Sequence, residues 1–113
     1  NNLYIDEVLV KPSYVVGIHE YSNEVPVGFK LHNNYPNPFN PSTKIRFDVS
    51  ERTNVKIAVY NSAGMEITVL VNDELGAGKY ETSFTALNLP SGVYFYKLIT
   101  DSFSDTKKMI LLK

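Results

Sequence analysis

The chain has 113 residues, a formal net charge of −1 and no cysteine. That length supports one domain with a modest core, and the charge leaves no basic excess to draw nucleic acid or an anionic membrane. Without cysteine there is no disulfide, zinc thiolate or thiol nucleophile, and no apolar run approaches the roughly 18 residues that span a bilayer.

The opening "NNLYIDEVLV" starts at once on strand-like residues without an initiator methionine, as the inside of a longer protein would. Leu3–Val10 is a strand candidate with mixed residues on both faces, so it wants cover on both sides. Residues 1–11 therefore read as the closing strand of an upstream domain, or as an N-terminal extension. Pro12–Gly28 has no clear period and carries Ser, Asn, Glu, Pro and Gly, the composition of a linker.

From Phe29 the pattern firms. Phe29–His32 is a short strand. It leads into "NYPNPFNPST" (34–43), where three prolines and two aromatics exclude a helix or a central strand. Each residue before a proline is pushed toward extended geometry. Tyr35 and Phe39 are expected to pin this stiff loop to the fold.

Thr43–Val49 alternates, with Ile45, Phe47 and Val49 on one face and Lys44, Arg46 and Asp48 on the other. Val55–Tyr60 follows, with Val55, Ile57 and Val59 together. "NSAG" (61–64) is a turn. Met65–Val71 is a strand with Met65, Ile67, Val69 and Val71 inward. "NDELGAG" (72–78) is a loop, and Lys79–Phe84 a strand. Val93–Thr100 and Lys107–Leu112 complete a hairpin around "DSFSD".

Turn signals every ~8–12 residues and short loops predict an all-β fold. About seven strands fit an immunoglobulin-like, Greek-key antiparallel β-sandwich.

No pattern of catalytic spacing is present: no Gly-x-Ser-x-Gly, no His-Glu-x-x-His and no glycine-rich phosphate loop. His19 and His32 are far apart and lack a second metal ligand at a known spacing. Asp101 and Asp105 flank a hairpin tip, and calcium is one reading; turn-forming aspartates is the preferred one, as for Asp73 and Glu74. No metal or cofactor is expected. Tyr94-Phe95-Tyr96 offers a sugar-stacking platform as an alternative function, but alternation turns Phe95 away from its neighbours, which favours plain packing.

"KKMILLK" (107–113) sets apolar strand residues between lysines. Gatekeeper lysines on an edge strand are one reading. An address gripped by a partner through strand addition is the other. Sequence physics favours neither.

Four segments in this order, "YPNPFNPST" (35–43), "GAGKYE" (76–81), "LPSGVYFYKL" (89–98) and "KKMILLK" (107–113), together resemble the type A C-terminal sorting domain of the type IX secretion system. The resemblance covers 29–113. It implies a non-enzymatic, immunoglobulin-like sandwich that directs attached cargo across the outer membrane. The implied partners are the outer-membrane translocon, its shuttle protein and a sortase-like peptidase that cleaves in the linker before the domain. The implied destination, by way of the periplasm, is the cell surface or the extracellular space. A monomer without membrane insertion is expected.

Carried over by position, the signature residues are Pro36, Asn37, Pro38, Gly78, Tyr80, Pro90, Gly92, Tyr94, Lys107, Lys108 and Lys113. Independently of the family, Gly78 and Gly92 each precede a strand where positive φ is useful. Tyr80 and Tyr94 follow them by two positions, so each can bury its ring and set its hydroxyl on a loop carbonyl.

Overall fold

The computed structural model describes residues 18–22 and 24–113. The strand expected over Leu3–Val10 and the closing-strand assignment for 1–11 lie outside them.

Eight strands are present among the described residues: β1 His19–Ser22, β2 Lys30–Leu31, β3 Ser42–Val49, β4 Thr53–Tyr60, β5 Glu66–Leu75, β6 Gly78–Thr85, β7 Gly92–Ile99 and β8 Ser104–Leu111. They form two antiparallel four-stranded sheets, ordered β1-β6-β3-β2 and β5-β4-β7-β8. The expected all-β sandwich is therefore present, with one strand more than seven.

The extra strand is β1, which falls inside the 12–28 segment expected to be a linker. It pairs with β6 through His19↔Glu81, Glu20↔Tyr80 and Ser22↔Lys79, with Tyr21 bulged between them. Its residues are mostly exposed. Backbone pairing rather than burial holds it, so it leaves no apolar alternation to read.

The core is built where alternation is cleanest. Ile45, Phe47 and Val49 of β3 and Val55, Ile57 and Val59 of β4 are buried and belong to one hydrophobic cluster drawn from both sheets. Phe47 stacks on Tyr80 with ring centroids 5.5 Å apart. Tyr96, Leu98, Met109 and Leu111 close the other side. Each such apolar side chain stabilises the fold by about 1.5–3 kcal/mol relative to exposure.

Strand β5 departs from the expected pattern in two ways. It runs on through Leu75, so 72–75 is strand rather than loop. Its register against β4 also slips twice: Val71 pairs with Ile57 but Val69 with Ala58, then Thr68 with Val59 but Glu66 with Tyr60. Leu70 and Ile67 are the extra residues. Each bulge reverses the side-chain alternation, so Met65 and Val69 face solvent and Ile67, Leu70 and Val71 pack inward. Bulges also suit β5 as an edge strand, because they spoil it as a template for pairing.

The β4–β5 turn is built by Asn61, whose Oδ1 accepts the amides of Ala63 and Met65, both at 3.0 Å. Gly64 has φ of 86°, the left-handed conformation that glycine adopts without cost.

Candidate functional site

The proline loop joins β2 to β3. Its X-Pro bonds Tyr35-Pro36, Asn37-Pro38 and Asn40-Pro41 are cis. Buried Asn34 ties its start together: Nδ2 donates to the Pro36 carbonyl at 3.1 Å and to Thr43 Oγ1 at 3.0 Å. Thr43 Oγ1 donates to the same carbonyl at 2.9 Å.

Of the two expected aromatic anchors, only Phe39 is one. It is 1% exposed and meets Phe84 edge-on at 5.9 Å. The Tyr35 ring is 81% exposed, and its backbone does the anchoring, exchanging two 3.0 Å bonds with Lys44. A polar–apolar rule cannot tell these two aromatics apart; their backbone partners can, exposed Lys44 of β3 for Tyr35 and buried Leu111 of β8 for Phe39.

The second half of the loop lies beside β8. The Phe39 amide donates to the Ile110 carbonyl at 2.9 Å, and the Leu112 amide donates to the Phe39 carbonyl at 3.0 Å. The Ile110 amide donates to Asn37 Oδ1 at 3.0 Å. Asn37 and Phe39 therefore occupy the outer edge of β8 at residues 110–112, while Pro36 and Pro38 stay exposed. Further along that edge, Asp105 Oδ1 accepts the Thr106 amide at 2.9 Å.

Residues 107–111 are thus folded into the sheet, and Leu112 and Lys113 follow it. Their register against β7 separates the lysines: Lys108 sits opposite Phe95 on the outer face, and Lys107 opposite Tyr96 on the inner side at the rim. Lys113 is tied at two points. Its amide donates to Ser91 Oγ at 2.9 Å and its Nζ to the Leu87 carbonyl at 2.8 Å.

The two glycine–tyrosine pairs have the same construction. Gly78 has φ of 159° and Gly92 155°. Two residues on, Tyr80 Oη donates to the Gly76 carbonyl at 2.8 Å, and Tyr94 Oη to the Pro90 carbonyl at 2.6 Å. At Gly78 a Cβ would collide with the Glu20 carboxylate from β1, whereas Gly92 has open space.

Burial raises the Tyr80 hydroxyl above its ordinary value, with Glu20 adding to the effect and Arg52 opposing it. Tyr96 is pushed up to about 12, chiefly by burial, with the Asn34 backbone opposing and Asp105 adding. Its hydroxyl donates to the His32 carbonyl at 2.7 Å, linking the two sheets.

The remaining candidates disperse. Tyr94 and Tyr96 are 4% and 0% exposed, so they cannot form a stacking platform and the sugar-binding alternative loses its residues. Phe95 alone of the three faces outward. His32 does have a partner that sequence reading missed, Asp48, with Nε2 to Oδ1 at 3.1 Å. The β2–β3 register brings these two together across 16 positions. No other hydrogen bond to the His32 ring is made among the described residues. No group of three or more His, Cys, Asp or Glu side chains converges among the described residues. Asp101 lies in the β7–β8 turn with its amide donating to Thr53 Oγ1 at 3.3 Å, and Asp105 lies in β8 with Oδ1 on the Thr106 amide.

A second feature that the sequence did not signal is a charged cluster on the outer face of the first sheet. Arg46 Nε donates to Glu81 Oε2 at 3.0 Å, and Lys44 Nζ lies 3.8 Å from Oε1. The bond to Glu81 raises the Arg46 pKa above its ordinary value, with desolvation opposing it. The Arg46 guanidinium also sits 4.5 Å over the Tyr21 ring.

A search of curated proteins finds no match. Among protein families, the model described as the secretion system C-terminal sorting domain matches residues 33–112. It starts four residues later than the resemblance read from the sequence. It includes the proline loop, both glycine–tyrosine pairs and all but the last residue of 107–113. The chain therefore belongs to the family of secretion system C-terminal sorting domains, and its function is that of a C-terminal sorting signal for type IX secretion.

Proposed function

We propose that this domain is read as a folded object, by an outer-membrane translocon and its shuttle protein, and not as a loose terminal tag. The observation that carries this reading is the clasp on β8. Asn37 and Phe39 of the proline loop hold residues 110–112, and Lys113 is bonded to Leu87 and Ser91. Two signature segments 73 positions apart in sequence thus form one unit. A receptor that tests the last strand thereby tests whether the whole sandwich has closed.

Membership of the family implies export to the cell surface or the extracellular space. We read the route as passage through the periplasm, with the sandwich folded before it meets the translocon. The family is one of sorting signals and not of enzymes, and we assign this chain no catalytic role of its own. A sortase-like peptidase cleaving within 12–28 completes the proposal. The backbone of His19–Ser22 is paired to β6, and paired strands resist proteolysis, so the preferred bond precedes β1. In this division the sorting domain is 29–113 together with β1, the edge strand paired to β6, and 1–11 belongs to cargo.

The signature residues then take two kinds of role. Gly78, Tyr80, Pro90, Gly92 and Tyr94 shape the strand entries. Pro36, Asn37, Pro38, Lys107, Lys108 and Lys113 set and mark β8.

The test is export of a fluorescent reporter placed behind a signal peptide and in front of residues 1–113, in a host with a type IX system. Reporter outside the cell supports the reading; reporter confined to the periplasm overturns it. Deleting 107–113 is a poor companion variant, because it removes the core side chains Met109 and Leu111. Lys107→Gln and Lys108→Gln keep the core and test the markers alone.

A further inference from the structure

The outer face of the second sheet differs from that of the first in how its charges are arranged. On the outer face of the first sheet Glu81 pairs with Arg46 and Lys44, and Asp48 with His32; Lys30 and Lys79 make no ion pair among the described residues, but both lie across the strands from Asp48. On the second sheet the β5 side is also compensated, with Lys56 Nζ 3.3 Å from Glu66. The β7–β8 side is not. Lys97 and Lys108 make no ion pair among the described residues, and their cross-strand neighbours are Ala58 and Thr106 for Lys97, and Phe95 for Lys108.

The register sets these lysines into an apolar surface. Tyr60, Phe95 and Lys108 form one row across β4, β7 and β8, and Val93 and Ile110 form the next. Val93 is 37% exposed, and Phe95, Tyr60 and Ile110 are half-buried. Partly exposed aromatic and aliphatic side chains match the apolar centre of a docking surface, and the flanking lysines match its polar rim.

The other ways of reading β8 are partly occupied. Its outer edge is taken at 110–112 by Asn37 and Phe39, and the Thr106 amide by Asp105, which confines strand addition to the stretch 104–108. The Lys113 ammonium is bound to Leu87. Over its clasped end, what β8 presents to a partner is therefore its face.

Resting on the sorting-signal reading above, we infer that the outer face of β7 and β8, centred on Phe95, Lys97 and Lys108, is the surface that docks on the export machinery, and that its partner is a protein presenting an acidic rim around an apolar patch. Phe95 and Val93 supply apolar contact, and the two lysines find the carboxylates that their cross-strand neighbours do not supply. Complementary charge fixes orientation and speeds encounter.

The test uses residues 1–113 behind the secreted reporter, with two matched double variants that remove the same charge from opposite faces. Lys97→Gln/Lys108→Gln is expected to lower the exported fraction about tenfold or more, as loss of desolvated charge pairs does. Lys30→Gln/Lys44→Gln, on the first sheet, is expected to stay within about twofold of the parent. Thermal melts of both purified doubles within a few degrees of the parent exclude misfolding as the cause. Export of the 97/108 double at the parental level overturns the surface while leaving the sorting reading intact. An equal fall in both doubles overturns it in favour of a net-charge effect. A parent that never leaves the periplasm overturns the sorting reading itself. Purified parent that sediments with phosphatidylglycerol vesicles, or self-associates, through Lys97 and Lys108 overturns the acidic protein as occupant.

Discussion

Tyr80 and Tyr94 lie in opposite sheets and make the same hydrogen bond, each hydroxyl donating to the carbonyl four residues earlier, at 2.8 and 2.6 Å. Each closes a turn whose next strand starts on a glycine with positive φ. The ring fills the core while the hydroxyl fixes the loop, the logic of a tyrosine corner. Tyr80→Phe and Tyr94→Phe keep the ring and remove the bond. Each is expected to destabilise by about 1 kcal/mol. The two sites share no direct bond, so the double variant should equal the sum within about 0.5 kcal/mol. Urea unfolding of all four proteins measures this; a marked departure from additivity would show that the two corners are coupled through the core.

Gly78 and Gly92 share a backbone conformation but not an environment. Gly92→Ala meets only the backbone cost, about 1–3 kcal/mol. Gly78→Ala meets the same cost and also displaces the Glu20 carboxylate. It is therefore expected to loosen β1, which Gly92→Ala does not. Hydrogen exchange over His19–Ser22 reads the difference directly. Equal protection there in both variants would mean that β1 does not depend on Gly78.

The sequence makes β3, β4, β7 and the tyrosine spacing legible for one reason: each depends on residues close together in the chain. Alternation over Ile45, Phe47 and Val49 survives because the strand has no bulge. In β5 the same reading fails at Met65 and Val69, because Leu70 and Ile67 are extra residues and nothing local marks them as such. Strand β1 is invisible because His19–Ser22 buries almost no apolar surface. The candidate site is least legible where it matters most. The Asn37–Ile110 bond spans 73 positions, and the Phe95–Lys108 row exists only once the β7–β8 register is known. Position-matching found Asn37 and Lys108, but gave no reason for either.

That reason yields a prediction at Asn37. Asn37→Ala leaves the Ile110 amide without its acceptor. The bond is exposed, so the stability loss should be small, about 0.5–1.5 kcal/mol. The local effect should be larger. Amide exchange at Ile110 and Leu112, which face the proline loop, is expected to quicken by about tenfold, while Met109, whose amide faces β7, should change little. Uniform quickening along β8 would argue against Asn37 as a local clasp.

Alkaline pH gives a signature of the inter-sheet bond from Tyr96 to His32. In the folded state Tyr96 holds its proton up to about 12, and Tyr80 is shifted in the same direction. The unfolded chain releases these protons near the ordinary tyrosine value of about 10. Between those values the unfolded state binds fewer protons, so stability falls as pH rises. Below that window the contribution is present in full and does not vary with pH. Tyr96→Phe removes the titrating group and leaves the His32 carbonyl unpaired. It should cost about 1–3 kcal/mol at neutral pH and also flatten the alkaline decline. Urea midpoints at several pH values from about 8 to 11 separate the two effects, the first as an offset and the second as a slope. A Tyr96→Phe variant that keeps the parental slope would assign the decline to other tyrosines.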